Sequence, residues 1–118
     1  MLTVYGIPNC NTVKKARTWL DEHKVAYTFH DYKKKGIIAD KLKSWSEVFN
    51  WEKLVNKAGT TWKALSEEEK AAVNDLDAAV ELMTDKTSVI KRPLIEDESG
   101  RAVLLGFSEA EYQKALLS

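Results

Sequence analysis

Residues 1–31 alternate between strand-like and helix-like patterns, and this order restricts the fold more than any other feature of the chain. An apolar run at 2–5 leads into Gly6 and Pro8, which indicate a turn. Apolar residues then recur with helical spacing from about Asn11 to His23, and a strand-like alternation follows at 25–31. A strand, a helix and a second strand form a β-α-β unit, so we expect parallel strands joined by a right-handed crossover.

The rest of the chain is predicted to be a helical segment followed by a β-β-α unit. Helical periodicity runs from Ile38 to about Met83, and strand character returns at 87–95. Pro93 has no N–H for a sheet ladder, so that strand should start at or after it. A turn at 96–100 should lead to a strand at 102–105. Capping-box patterns at 66–69 and 108–111 predict two helix starts.

This order of elements predicts an α/β fold of the thioredoxin-like type with a mixed four-stranded sheet. We expect a single domain over residues 1–118, which is long enough for one hydrophobic core. Within it, residues 1–36 and 87–118 should form the thioredoxin-like core, and residues 37–86 should form a helical insertion.

Composition argues against several functional classes. Lys plus Arg equal Asp plus Glu, 18 each, so we expect no general affinity for nucleic acid or for an anionic membrane. No apolar run approaches the roughly 20 residues that span a bilayer, and the N-terminus lacks a signal-peptide pattern. The chain has one cysteine and two histidines, which predicts no disulfide framework, no bound metal or cofactor and a reducing, cytoplasmic location. We also expect a monomer.

The single cysteine, Cys10, lies at the junction between the first predicted strand and the first predicted helix. Helix N-termini carry a partial positive charge and unpaired N–H groups, and both favour the thiolate form. Lys14 should add a cation on the same helical face, and Asn9 or Asn11 should accept hydrogen bonds from the helix start. A free cysteine is also often a small buried apolar residue, so position alone leaves a reactive and a packing role equally open.

Several motifs are similar to those of the arsenate reductase-like (ArsC/Spx) family of thioredoxin-fold proteins. The motifs are the opening strand with Pro8-Asn9-Cys10, the segment Ile90-Lys91-Arg92-Pro93 and the ending Leu105-Gly106-Phe107-Ser108. Gly59-Thr60-Thr61-Trp62 and the continuation of the second motif to Leu94 resemble in particular the YffB branch, small bacterial proteins thought to be glutathione-dependent thiol reductases.

The resemblance implies a site built around Cys10. Pro93 would be the cis-proline before the third strand, facing the cysteine, and Arg92 would contact the cysteine sulfur or a bound oxyanion. The alternative for Arg92 is a surface ion pair with a carboxylate. Glutathione would be the co-substrate, alongside a small oxidised or anionic substrate. The candidate binding residues are Asn9, Asn11, Thr12, Lys14, Asn56 and Pro93.

The chain also departs from the family's pattern. Glutathione-coupled arsenate reductases use three arginines around the oxyanion, but here only Arg92 is matched. The other two positions are read as Asn56 and Val103, with Arg101 two residues away from the latter. Val13 stands where a Cys-x-x-Cys motif has its second thiol, so the resolving thiol must come from outside the chain.

Three functions follow from these observations. The favoured one is a glutathione-dependent thiol reductase in which Cys10 is the nucleophile and Arg92 stabilises the anion. The second is an Spx-like regulator that binds RNA polymerase, although Spx-like members generally carry Cys-x-x-Cys. The third is a true arsenate reductase in which Lys57 or Arg101 replaces the missing arginines.

Overall fold

The computed structural model describes residues 1–117, which form four strands and eight α-helices. The strands are β1 (Leu2–Gly6), β2 (Tyr27–Asp31), β3 (Leu94–Glu96) and β4 (Ala102–Leu105). The helices are α1 (Asn11–Glu22), α2 (Tyr32–Lys35), α3 (Ala39–Ser46), α4 (Trp51–Leu54), α5 (Thr60–Lys63), α6 (Glu67–Ala72), α7 (Leu76–Asp85) and α8 (Glu109–Tyr112). A 3₁₀ turn at Thr87–Val89 and a π-helical segment at Gln113–Leu117 complete the described elements.

The chain divides into two compact units, which are described separately. The first contains residues 1–35 and 92 onward, and the second contains residues 36–91. The prediction assigned residues 87–91 to the sheet-containing part, whereas the structure groups them with the helices. The reason is backbone hydrogen bonding: the Lys91 N–H donates to the Leu54 carbonyl at 2.7 Å, and the Asn56 N–H donates to the Val89 carbonyl at 2.8 Å. Residues 87–89 therefore form a turn rather than the predicted strand.

The first unit holds a mixed four-stranded sheet in the order β2-β1-β3-β4. β1 and β2 are parallel, as the β-α-β pattern predicts, and β3 is antiparallel to both β1 and β4. The predicted α/β class with a mixed four-stranded sheet is confirmed. β3 begins at Leu94, directly after Pro93, because proline cannot donate to the ladder.

One face of this sheet packs against α1 and α8 through an apolar cluster. Its buried members are Val4, Ala16, Trp19, Leu20, Ile95, Leu104 and Tyr112. Trp19 and Tyr112 meet edge to face with ring centroids 5.5 Å apart, a favourable aromatic arrangement. The Tyr112 hydroxyl donates to the Gly106 carbonyl at 2.6 Å, so its polar end is satisfied inside the cluster.

The opposite face of the same sheet carries a polar cluster, which we define as buried Tyr5, Tyr32 and Glu96 with half-buried His30. Tyr5 pairs with His30 across β1 and β2, and their ring centroids lie 4.7 Å apart. The Tyr5 hydroxyl donates to Glu96 Oε1 at 2.9 Å, and Glu96 is only 3% exposed. Side chains alternate between faces along a strand, so Val4 and Ile95 belong to the apolar cluster while their neighbours Tyr5 and Glu96 belong to the polar one.

The second unit is helical and has its own buried residues. Leu42 and Trp45 of α3, Leu54 of α4 and Met83 of α7 are fully buried. The predicted capping box at the start of α6 is confirmed: the Glu69 N–H donates to Ser66 Oγ at 3.1 Å and the Ser66 N–H donates to Glu69 Oε1 at 3.0 Å. Within residues 1–117, no helix is both long enough and apolar enough to cross a bilayer.

Candidate active site

Sheet topology brings Cys10 and Arg92 to the same end of the first unit. β1 runs antiparallel to β3, and Tyr5 lies opposite Leu94. Gly6 therefore ends β1 beside the point where the segment containing Arg92 enters β3. The turn after Gly6 carries Cys10, so the two predicted catalytic residues meet although they are far apart in the sequence.

Cys10 occupies the N-cap position of α1. Its extended backbone, with φ −100° and ψ 127°, ends a turn closed by its own N–H, which donates to the Ile7 carbonyl at 3.3 Å. The Cys10 carbonyl accepts the Lys14 N–H at 2.9 Å as the helix begins. Since Asn11 is already the first helical residue and Cys10 is the cap, the prediction that Asn9 or Asn11 caps the helix is wrong.

Gly6 allows the end of β1 to lie very close to the first turn of α1. A Cβ atom at position 6 would lie 2.9 Å from Val13 Cγ2, which is shorter than any ordinary carbon–carbon contact. Val13 is completely buried, so it has little room to move away. Because Gly6 has no side chain, β1 can lie this close to the first turn of α1, which begins next to Cys10.

The backbone next to Arg92 is hydrogen bonded to the end of β4. The Arg92–Pro93 peptide bond is cis, and the Pro93 carbonyl accepts the Gly106 N–H at 2.8 Å. Gly106 has φ +80°, a conformation that side-chain-bearing residues rarely adopt, so glycine is favoured at this contact. The hydrogen bond between Gly106 and Pro93 therefore joins the end of β4 to the start of β3.

Opposing influences act on the pKa of the Cys10 thiol, and their net effect is to lower it. Partial burial raises the pKa and is the largest single influence. Hydrogen bonding from the Val13 N–H, the Arg92 side chain and the Thr12 N–H, together with the charge on Arg92, outweighs burial. The N-terminus of α1 and the Arg92 side chain thus both interact with the Cys10 sulfur, and both stabilise its thiolate form.

The remaining predicted binding residues fall into two groups. Asn9, Asn11, Thr12 and Lys14 are exposed around Cys10. Of the two cations predicted to lower the pKa of Cys10, Arg92 contributes and Lys14 does not. Asn56 belongs to the second unit, where its side-chain oxygen accepts the Ala58 N–H at 3.2 Å. Its role in binding therefore stays a prediction.

Two residues considered in connection with the missing arginines lie away from Cys10. Val103 is half-buried and packs against the apolar cluster. Arg101 is exposed, and its N–H donates to Asp97 Oδ1 in the turn between β3 and β4, at the far end of those strands from Arg92. The proposal that Arg101 replaces a lost arginine is therefore wrong.

Sequence reasoning missed the polar cluster next to Arg92. Glu96 was predicted to be part of the turn at 96–100, but it is the last residue of β3 and is buried. The signal that was available is its spacing: Glu96 lies two residues after Leu94, on the same strand face. Tyr32 had no signal of its own, because it directly follows β2 and precedes a charged run.

The chain belongs to the ArsC family, whose model matches residues 5–115. The solved structure of the YFFB (PA3664) protein is similar, with TM-score 0.91 and 48% identity over 98% of this chain and 99% of that one. An uncharacterised protein of Haemophilus influenzae is 44% identical over 98% of both chains.

Members with more specific descriptions are also similar. The solution structure of an arsenate reductase (ArsC) related protein from Brucella melitensis has TM-score 0.75 and 45% identity over 97% of this chain and 92% of that one. A more distant relative is the global transcriptional regulator Spx of Staphylococcus haemolyticus, which is 24% identical over 98% of this chain and 87% of its own. The family therefore contains arsenate reductase-like proteins and regulators.

Proposed function

We propose that the protein is a glutathione-dependent thiol oxidoreductase in which Cys10 is the nucleophile. The observation that carries this proposal is the convergence of Arg92 and the Thr12 and Val13 N–H groups on the Cys10 sulfur, with the resulting drop in its pKa. A thiolate is the attacking form of cysteine, and it is most effective when its pKa is near the ambient pH. A buried cysteine with only a packing role would not need this arrangement.

The reaction has two thiol–disulfide exchange steps. The Cys10 thiolate attacks the glutathionyl sulfur of a mixed disulfide, R–S–S–G. A Cys10–glutathione disulfide forms and the thiolate R–S⁻ leaves, taking a proton from solvent. The thiolate of a second glutathione attacks the glutathionyl sulfur of that adduct, which yields oxidised glutathione and restores the Cys10 thiolate. The net change is the reduction of R–S–S–G to R–SH by one glutathione.

Arg92 and the start of α1 act on the charge that appears in these steps. In each exchange, negative charge moves from the attacking sulfur to the leaving sulfur. The guanidinium offers several donors in a rigid plane, and the helix N–H groups add fixed dipoles without reorganisation. Both groups thus stabilise the Cys10 sulfur whenever it attacks or leaves.

The absence of a second cysteine supports an external resolving thiol. Val13, three residues after Cys10, is completely buried and carries no thiol. The exposed side chains of Asn9, Asn11, Thr12 and Lys14 surround Cys10 with hydrogen-bond donors and one cation, which suit the amide and carboxylate groups of glutathione. We place this reaction in a reducing cytoplasm, where glutathione is plentiful.

Intact mass and steady-state kinetics test the proposal on one preparation. After exposure to oxidised glutathione, the mass should rise by one glutathione adduct that dithiothreitol removes, and the Cys10→Ser variant should gain none. Glutathione-linked reduction of a glutathionylated peptide should require Cys10. An accessible Cys10 that reacts with small alkylating agents but never with oxidised glutathione would contradict the proposal.

Arsenate reduction is a second candidate because relatives are described as arsenate reductase-like. Each arginine contact to an oxyanion contributes about 1.5–3 kcal/mol, so lacking two costs about 3–6 kcal/mol of transition-state stabilisation. We therefore expect weak or no arsenate turnover from the preparation that reduces glutathionylated peptide. Turnover of arsenate at a comparable rate would reverse this order of preference.

A regulatory role is the third candidate, because Spx proteins are distant relatives. A pull-down with the α-subunit of RNA polymerase distinguishes it from an enzyme. We expect no retention that depends on the fold of this chain, since this sequence has one cysteine and cannot form the internal disulfide of a Cys-x-x-Cys switch.

A further inference from the structure

Five exposed lysines of the first unit have no ion-pair partner. They are Lys14 and Lys15 of α1 and Lys33, Lys34 and Lys35 of α2, and we call them the basic patch. Among residues 1–117, none of the five takes part in an ion pair. The chain as a whole is neutral, so these unpaired charges are a local excess rather than a property of the whole protein.

Sheet topology brings both parts of the basic patch to the end of the sheet that carries Cys10. β1 and β2 are parallel, and Gly6 lies opposite Asp31 where the two strands end. Cys10 follows β1 through a turn, and α2 follows β2 at once. Tyr32, the first residue of α2, is buried, and its ring centroid lies 6.2 Å from that of Tyr5. The start of α2 is therefore packed onto the sheet at this end.

The distance from Cys10 to the basic patch suits a short stretch of extended peptide. The Lys14 N–H donates to the Cys10 carbonyl at 2.9 Å, so Lys14 lies one helical turn away. A turn of under about 7 Å, a strand spacing of about 4.8 Å and steps of about 3.8 Å per residue limit the Cα separation of Cys10 and Lys33 to about 23 Å. An extended chain covers that distance in about seven residues.

Acidic residues at the same end of the sheet do not cancel the basic patch. Asp31 Oδ1 accepts the Lys33 backbone N–H at 2.9 Å, so this carboxylate binds backbone at the start of α2. Glu109 and Glu111 begin α8 after β4, which is three strands away from β2 in the sheet order. Three strand spacings are about 14 Å, which exceeds the Debye length of about 8 Å at physiological salt. The β1–β2 side of this end therefore carries excess positive charge.

The chemistry at Cys10 decides which kind of anion the basic patch would meet. Exchange at Cys10 requires a disulfide sulfur, which a nucleic acid does not supply, whereas a polypeptide can carry a cysteine and carboxylates together. We propose that the basic patch recruits acidic polypeptides, so that R in R–S–S–G is a segment with aspartates or glutamates within about seven residues of its glutathionylated cysteine. This rests on the proposed function, because the exchange at Cys10 is the reaction that the patch serves.

Two glutathionylated peptides that differ only in charge test the proposal. One has glutamates at the third, fifth and seventh positions after its cysteine, and the other has glutamines there. We expect kcat/KM to be roughly tenfold higher for the acidic peptide, because opposite charges raise the rate of encounter. The ratio of the two values should approach one in about 1 M sodium chloride, where the Debye length is about 3 Å.

Substitutions that remove two positive charges locate the effect. Lys33→Gln combined with Lys34→Gln should lower the ratio at least about threefold, because it neutralises part of the basic patch. The matched control is Lys24→Gln combined with Arg101→Gln, which removes two exposed cations after α1 and in the turn between β3 and β4. Both control positions are at the other end of the sheet, so the ratio should be the same as in the wild type.

Two further measurements do not depend on turnover. The pH midpoint of Cys10 alkylation, at which the rate is half its maximum, should be equal in the wild type and the Lys33→Gln/Lys34→Gln variant, because Arg92 and the helix N–H groups act on the thiol. Fluorescence anisotropy of labelled peptides with alanine in place of cysteine should show tighter binding of the acidic one. A single-stranded DNA of equal charge should bind more weakly than that peptide.

Four results would overturn the proposal: equal kcat/KM for the two peptides, a preference unaffected by the α2 substitutions, a shifted alkylation midpoint in that variant, and tighter binding of the DNA. The third would mean that the lysines act on the thiol, and the fourth that the patch serves nucleic acid. A failure of the proposed function is distinct, because it appears as a missing glutathione adduct on a reactive Cys10 whatever the charge of the peptide.

Discussion

Val4 and Ile95 face one side of the central sheet and pack with α1 in the apolar cluster, whereas their neighbours Tyr5 and Glu96 face the other side in the polar cluster. All four side chains are at least 95% buried. The apolar side stabilises the fold by removing hydrocarbon from water. The polar side does so only where its groups pair, and it includes Tyr32, on which the charge of Arg92 acts.

This difference assigns different tasks to two faces of one sheet. Substitutions in the apolar cluster should change stability and leave the chemistry of Cys10 alone. Substitution of Arg92 should change the chemistry with a smaller effect on stability. The following predictions test that separation, starting with the largest effect.

Ile95→Ala should cause the largest loss of stability. Ile95 is completely buried in the apolar cluster, and truncating such a residue costs about 2–5 kcal/mol in the free energy of unfolding. Urea titration measures the loss, with Leu116→Ala as a half-buried control that should lose less. The Cys10 alkylation midpoint of the folded variant should equal that of the wild type. A shifted midpoint would show that packing in the apolar cluster and the chemistry of Cys10 are not separate.

Gly6→Ala should destabilise the junction of β1 and α1. The new Cβ would lie 2.9 Å from Val13 Cγ2, and overpacking of this kind costs about 1–3 kcal/mol. Chemical denaturation measures the cost, and Val13→Ala in the same chain provides the control because it removes the colliding methyl groups. The double variant should lose less stability than the sum of the two single losses. Simple additivity would mean that the close contact is not the cause.

Arg92→Lys should reduce glutathione-linked activity by roughly tenfold or more, because lysine keeps the charge but loses the planar donors. The loss should appear as a rate effect in the peptide-reduction assay and leave the unfolding midpoint nearly unchanged. Arg101→Lys is the matched control, since Arg101 is exposed at the other end of β3 and β4. Equal activities of the two variants would remove Arg92 from the site.

Tyr5→Phe should lower stability less than Ile95→Ala does. The change removes the hydroxyl that donates to buried Glu96, so it should cost about 1–3 kcal/mol, whereas Tyr112→Phe removes a bond to a backbone carbonyl and should cost about 0.5–1.5 kcal/mol. Thermal and urea unfolding of both variants under the same conditions compare them. A larger cost for Tyr112→Phe would contradict the importance of the carboxyl in the polar cluster.

Local patterns in the sequence were sufficient for much of the fold. The apolar alternation and Pro93 predicted the four strands, and Ser66 predicted the start of α6. The position of Cys10 at a helix N-terminus also followed from the turn at Gly6 and Pro8. These features depend on residues close together in the chain, which is why sequence reasoning reaches them.

The features that sequence reasoning missed depend on contacts between distant residues. Glu96 reads as a turn residue beside Asp97 and Glu98, yet its partner is Tyr5, 91 positions earlier. Val103 was aligned with an arginine position, but the register shift between β3 and β4 and the packing of α1 and α8 place it beside the apolar cluster. Neither partnership has a local signal, so the polar cluster could not be predicted from spacing alone.

The most direct test of the central claim is the rate of Cys10 alkylation measured against pH in the unmodified protein. Cys10 is the only cysteine in the chain, so the thiol reaction reports on it alone. The account predicts a midpoint below about 8.5, the value for an unperturbed thiol, because Arg92 and the Thr12 and Val13 N–H groups favour the thiolate. A midpoint at or above about 8.5 would contradict the claim that this site activates the cysteine.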